Sequence, residues 1–366
     1  MRLILGNLLL TISQWYSFFL VSQLSLFIFP VFCGVAIFAL GFVGRIAGSM
    51  IFGYIGDKVN RKVALFLTTA ILVVSSLLII LVYNYYSIIA FRFLQGLSLG
   101  GEWGGASTVI AEAYGESKFR GLATSMIQLA VPISVILSSF SIFLLSTSSS
   151  GEWRFSLIFP IIISLFSISL VRDMKSVDME NNSGIPILNA IRNDWSNVLK
   201  AIGIKISESA NFYIFTSFVF SQSISAGAVS MVVIIAVSLQ LILMPMFGYL
   251  SDVIGRRMVV LIGAGIMLFG SILFPSNFVL GEMLLSVSDA SLYAPQSSIF
   301  TELFDKKYRF TVSNFSYQVA SIIGGTVAPA VLRVTNYGVS VVALPYIAVT
   351  LLSLTLVAET KGKRMQ

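Results

Sequence analysis

Twelve stretches of mostly apolar residues follow one another along this chain, each about as long as the roughly 20 residues a helix needs to cross a bilayer. They run roughly over residues 3–29, 31–55, 62–82, 86–110, 121–145 and 154–172, then 203–222, 226–250, 258–274, 278–299, 311–333 and 338–357. Little chain is left for anything else. Charged residues make up 11% of the 366 and hydrophobic residues 57%, against about 25% charged in an ordinary soluble domain. The sequence cannot cover a water-facing surface, so the expected fold class is an all-α integral membrane protein. The first stretch follows Arg2 as a secretory leader would, but it is too long for a leader's apolar region and lacks a small-residue cleavage site. It is read as a membrane helix.

The single cysteine, Cys33, rules out a disulfide within the chain, and the absence of histidine removes His-based metal sites and catalytic triads. No enzyme activity, metal or cofactor is expected. The formal charge of +7 is explained by where the cations stand. With a cytoplasmic N-terminus, every Lys and Arg except Arg45, Arg92, Arg154 and Arg333 falls at Arg2, in the loops after even-numbered spans or at the span ends that border them (Lys62, Arg172 and Lys205), or in the tail. That distribution puts positive charge inside, with both termini cytoplasmic in the cell membrane. The basic balance reports topology and not a nucleic-acid partner.

The long polar stretch 173–202 divides the chain into an N-terminal six-helix bundle (1–172) and a C-terminal bundle with a short tail (203–366), joined by a cytoplasmic linker. The halves echo one another. GYIGDKVNRKVAL at 53 recurs as GYLSDVIGRRMVVL at 248, so Gly53, Asp57 and Arg61 return as Gly248, Asp252 and Arg256. AEAYGESKFRGLATSMIQLA at 111 and TELFDKKYRFTVSNFSYQVA at 301 share a Glu, an aromatic-Arg step displaced by one position, and Gln-x-Ala. Two six-helix repeats in parallel order form a known transporter architecture.

The spacing Gly-x-x-x-Asp-(Arg/Lys)-x-Gly-Arg-(Arg/Lys) between spans 2 and 3, with a degenerate copy between spans 8 and 9, resembles the signature of the major facilitator superfamily. Asn60 stands where that family usually has Gly, a mild departure because both residues accept a left-handed turn. QWYSFF at 14, RFLQGLSLGGEWGGA at 92, ESANFYIFT at 208 and APQSSIFTELF at 294 resemble its metabolite:proton symporter branch. That resemblance implies twelve helices in two pseudo-symmetric bundles, alternating access, and cargo such as osmolytes, dicarboxylates or shikimate-like acids. One departure bears on coupling: where the branch usually reads EWYDFF, this chain has the neutral Gln14 and Ser17.

The charged phrases suggest a cytoplasmic latch made of Asp57, Arg61, Glu112 and Arg120 in the first half and Asp252, Arg256, Glu302 and Arg309 in the second. Carboxylate-guanidinium bonds there would hold one transport state; the plainer reading is that the cations only fix orientation. Polar residues within spans carry the rest, since a charge in hydrocarbon normally faces a cavity or a partner. On span 4, Arg92, Gln95 and Glu102 share a face, while Gly96, Gly100 and Gly104 form a separate stripe suited to close helix packing. On span 10, Glu282, Ser286, Asp289, Tyr293 and Gln296 recur at helical spacing. Weaker stripes are Asn7, Thr11 and Gln14 on span 1 and Glu208, Asn211 and Gln222 on span 7, and amides in such places also serve as plain glue between helices. The family fold places spans 1, 4, 7 and 10 around its cavity.

The candidate substrate and proton cavity is therefore Gln14, Arg92, Gln95, Glu102, Glu208, Asn211, Glu282, Asp289 and Tyr293, with Arg45 and Glu102 at similar depth as a possible intramembrane pair. Asp289 is favoured for proton carriage, because a mid-helix carboxyl can be dry in one state and wet in another; the alternative has each acid neutralised by Arg45, Arg92 or Arg333. The expected function is transport of a small carboxylate or zwitterion by a monomer, with protons as coupling ion. A proton-independent uniporter and a transporter-like sensor are the alternatives.

Overall fold

In the computed structural model, residues 2–28, 31–82, 84–145, 152–172, 184–221 and 226–363 are described. The first part of the expected linker, 173–183, and Gln222 lie outside them. Among the described residues every regular element is helical: α1 (Arg2–Ile28), α2 (Val31–Lys58), α3 (Arg61–Leu81), α4 (Tyr85–Ala113), α5 (Arg120–Gln128), α6 (Ala130–Leu145), α7 (Ile158–Val171), α8 (Pro186–Thr216), α9 (Ala226–Ile254), α10 (Arg256–Leu273), α11 (Phe278–Tyr293), α12 (Gln296–Leu303), α13 (Arg309–Val334) and α14 (Val339–Thr355), with 3-10 turns at Glu152–Leu157 and Phe218–Ser221.

Two expected spans are each broken in two. Span 5 is interrupted at Leu129, three residues before Pro132, and span 10 at Ala294 and Pro295. A proline has no N–H for the helix ladder and its ring clashes with the carbonyl four residues back, which accounts for both breaks. Linker residues from Pro186 onward belong to α8, which kinks at Asp194 (φ −142°, ψ 21°) and continues directly into span 7.

The distribution of side chains is what a bilayer demands. Large apolar residues such as Ile242 (74% exposed), Leu352 and Phe166 face outward, whereas Ser, Thr, amide and charged side chains are buried. Lipid contacts take the apolar surface, so the interior is free to be polar. Eight segments are individually long and apolar enough to cross a membrane. α4, α8 and α11, which carry most of the interior charges, are not among them.

By contact the chain forms two compact units, Met1–Ile110 with Ala130–Asn189 and Lys306–Phe315, and Ala111–Leu129 with Ala190–Asp305 and Ser316–Gln366. Each unit thus contains a short segment from the other half of the sequence. In the first, Tyr16, Leu20, Val21, Ile37, Ile79, Ile88, Trp153 and Leu157 pack into one apolar cluster. Gly96 and Gly100 on α4 let that helix meet α2 backbone to backbone: a Cβ there would overlap the carbonyl oxygens of Gly41 and Arg45. The glycine stripe is a packing surface of the small-residue kind.

Candidate functional site

The repeated loop phrases build two matching helix caps. α2 and α3 are separated by only Val59 and Asn60. Asn60 is extended (φ −172°, ψ 134°), and its side chain accepts from Lys62 N at 2.8 Å, so it starts α3 as an N-cap. The left-handed conformation expected at Asn60 occurs instead at its counterpart Gly255 (φ 106°). Asp57, buried at the end of α2, accepts from Phe310 N (3.1 Å), Thr311 N (2.8 Å) and Thr311 Oγ1 (2.6 Å) at the start of α13. Asp252, at the end of α9, accepts from Gly121 N and Leu122 N, both at 2.8 Å, at the start of α5. In each unit a carboxylate therefore meets the donor-rich positive end of a helix.

The second unit adds guanidinium bonds. Arg120 Nε and Nη2 reach Glu302 Oε1 at 2.7 and 2.6 Å. Arg256 bonds Asp252 at 2.6 Å and Glu302 at 3.3 Å. In the first unit Arg61 Nη2 donates to Lys306 O at 3.3 Å and lies in electrostatic reach of Asp57 and Arg309. Glu112 belongs to the second unit, half-buried near the end of α4. The tail, which gave no signal in the sequence, joins this set: Glu359 accepts from Arg256 N (2.9 Å) and Arg257 N (3.1 Å), and Lys363 Nζ donates to Glu302 O at 2.8 Å.

Inside the first unit the polar stripes of α1 and α4 meet. Thr11 Oγ1 donates to Glu102 Oε1 at 2.6 Å, and Ser98 Oγ donates to Gln14 Oε1 at 2.7 Å. Arg92 donates to Ser22 Oγ and to Gln95 Oε1, its guanidinium 4.0 Å above the Phe18 ring. Arg45 is also fully buried, its guanidinium 5.0 to 5.2 Å from the rings of Trp15, Phe18 and Phe42. Cation-aromatic contacts of this kind gain strength when dry.

The second unit holds a cluster that sequence reasoning only half found. By its place at the cytoplasmic end of span 7, Lys205 groups with the cytoplasmic cations in the sequence. It is in fact buried within α8 and ion-paired to Glu208, one turn on. Its ammonium also lies 3.3 Å from Gln296 Oε1, 3.9 Å from the Tyr317 ring centroid and 5.1 Å from that of Tyr293. The two tyrosine hydroxyls are 3.2 Å apart. Asp289 is in electrostatic reach of both Lys205 and Glu208, and it accepts from Gln240 Nε2 at 3.1 Å. Asn211 donates to Leu285 O at 2.7 Å, a helix-to-helix tie. Glu282 is fully buried, and among the described residues nothing donates to either of its oxygens.

Lys205, Gln240 and Tyr317 are the residues the sequence reading missed. For Lys205 the signal was present: a cation three residues before Glu208 inside an apolar run shares that residue's helix face. Gln240 is a lone amide in span 8, and Tyr317 carries no pattern.

The comparisons with known proteins agree with this architecture. A family model described as sugar (and other) transporter matches residues 5–172, and one described as major facilitator superfamily matches residues 201–364. The inner membrane metabolite transport protein YhjE of Escherichia coli is 30% identical over 423 aligned residues, covering 100% of this chain and 95% of that protein. The shikimate transporter of the same organism is 26% identical, covering 90% and 86%. The solved structure of the proton:xylose symporter XylE superposes with a TM-score of 0.73 at 16% identity, covering 100% of this chain and 96% of that one. The chain belongs to the major facilitator superfamily: it is a multi-pass membrane protein of that superfamily's twelve-helix fold, and a secondary transporter of small metabolites.

Proposed function

We propose that this transporter is a proton symporter for a small organic carboxylate or zwitterion, working in the cell membrane with both termini cytoplasmic. The observation that carries the reading is the Lys205, Glu208 and Asp289 cluster, in which one buried ammonium faces two buried carboxyls. In a dry interior one cation cannot balance two carboxylates, and a proton is the natural remaining counter-charge. A relative named for shikimate, itself a carboxylate, supports the cargo class. A uniporter is favoured by one specific feature, the neutral Gln14 and Ser17, with Gln14 engaged by Ser98. Uptake into sealed vesicles carrying the protein separates these readings, with shikimate as first probe and other organic acids and betaines after it. A symporter concentrates its substrate when the outside is made acidic; a uniporter only equilibrates it, and a sensor moves none.

Orientation has its own test. Cysteines introduced at Ser176 and Ser183 are expected to react with impermeant thiol reagents from the cytoplasmic side only, and one at Ser149 from outside only. The opposite labelling pattern would refute the proposed topology.

A further inference from the structure

The part of α8 that precedes span 7 turns an apolar row outward. Ala190, Val198 and Ala201 are buried, while Ile191, Trp195 and Leu199, spaced four apart, are exposed. Trp195 is 60% exposed, whereas the chain's other tryptophans, Trp15, Trp103 and Trp153, are buried. A helix standing in water carries polar residues on that side, so a row of this kind marks a surface that something covers. Cations flank it: Arg192 is exposed, and Lys200 is half-buried with Nζ 3.2 Å from Asn197 Oδ1. The acid between them, Asp194, sits at the kink of α8 and accepts from Asn197 Nδ2 at 2.7 Å.

The neighbours of the row say what covers it. One turn past Leu199, α8 meets α14: a Cβ at Gly203 would overlap Ser353 Oγ, and Thr350 Oγ1 donates to Gly203 O at 2.8 Å. At that end of α14, Leu352 and Leu356 face outward, as the lipid side of a membrane helix does. Leu199 therefore continues a lipid-facing edge. At a rise of about 1.5 Å per residue, Trp195 stands about 6 Å and Ile191 about 12 Å farther along the helix. A headgroup layer is roughly 5–8 Å deep, so a straight upright helix would carry Ile191 out of it. The kink at Asp194 breaks the axis between those two residues, and the chain before it can follow the surface. Trp with flanking Lys and Arg is the side-chain set that settles at this depth, rings in the boundary and charges at the phosphates.

We infer that residues 191–200 form an anchor on the lipid surface, with Ile191, Trp195 and Leu199 seated at the headgroup end of the acyl chains and Arg192 and Lys200 on the phosphates of anionic lipid. The stretch that the sequence presents as a polar linker in water is, at this end, part of the membrane-bound body. The anchor stands whichever face of the membrane α8 enters from, and it does not depend on proton coupling.

Trp195 is its own probe. The full chain is placed in vesicles of phosphatidylcholine mixed with phosphatidylglycerol, and the emission that Trp195→Phe removes is assigned to Trp195. Lipids brominated near the headgroup end of their acyl chains are expected to quench most of that emission, and acrylamide in the water little of it. In vesicles of phosphatidylcholine alone the quenching by brominated lipid is expected to fall by about half, and Arg192→Gln combined with Lys200→Gln is expected to abolish this dependence on lipid charge. Emission quenched by acrylamide and spared by brominated lipid would place the stretch in water. Emission reached by neither would mean that protein covers it, a second copy of the chain included. Either result overturns the inference, as does quenching that ignores lipid charge. If Trp195→Phe does not fold, acrylamide on the unaltered chain decides, because its other tryptophans are buried.

Discussion

Neutralising both carboxyls that face Lys205, by Glu208→Gln together with Asp289→Asn, is expected to abolish proton-driven accumulation while exchange of substrate across the membrane continues. With one proton carried per substrate, the unaltered protein should concentrate its cargo about tenfold for each pH unit of gradient. The doubly neutralised chain should reach equal concentrations on the two sides and go no further. Exchange survives because it needs only alternation of the loaded carrier. The substitutions preserve shape, and Asn at position 289 keeps an oxygen for Gln240 Nε2, which donates there at 3.1 Å. Either substitution alone leaves one carboxyl facing Lys205 and is expected to keep part of the driven uptake. Accumulation by the double variant as strong as that of the parent would remove the cluster from the coupling step and turn attention to Glu102 and Glu282.

The second large effect is expected at the other end of the helices. Asp57→Asn replaces a carboxylate that accepts from two backbone N–H groups and a hydroxyl at the start of α13. The amide keeps one oxygen but loses the charge that the helix N-terminus favours. Losses of this kind run to about 1–2 kcal/mol, enough to shift the balance between two conformations by roughly tenfold. This conformation should become less populated and the transport rate should fall by a similar factor. Substrate affinity measured in detergent should stay within a few-fold, because Asp57 touches helix ends and none of the buried cluster. A variant with full transport rate would reduce these residues to topology markers; a variant that folds but cannot bind would argue that the caps shape the binding region itself.

The two helix caps show how legibility varied along one motif. The repeat of Asp57 as Asp252 is plain in the sequence, and so is the need for some partner, since positive loop charge alone requires no acids. That the partners are backbone N–H groups of α13 and α5 cannot be read from spacing. Those donors exist only because two helices begin there, and any residue type can supply a backbone N–H. Glu359 is the extreme case, a tail carboxylate bound to the start of α10 with nothing in its neighbours to announce it.

What the sequence determined by itself is the part set residue by residue. Transfer of each apolar run into hydrocarbon is a local sum, so the spans, their membrane setting and the duplicated order follow from composition and periodicity alone. The breaks in spans 5 and 10 are different: they fall beside Pro132 and Pro295, yet Pro245, Pro329 and Pro345 lie inside continuous helices, so a proline alone does not tell which span will break. Only the tertiary structure decided which polar groups meet. It withdrew Lys205 from the cytoplasmic cations, set it against Glu208, Gln296 and two tyrosine rings, and placed Asp289 within reach of both charges. The physical reason is that a buried charge is satisfied by whichever helix packs against it. Packing depends on small-residue contacts such as Gly96 against Gly41 and Gly100 against Arg45, which are properties of two helices at once and of neither sequence alone.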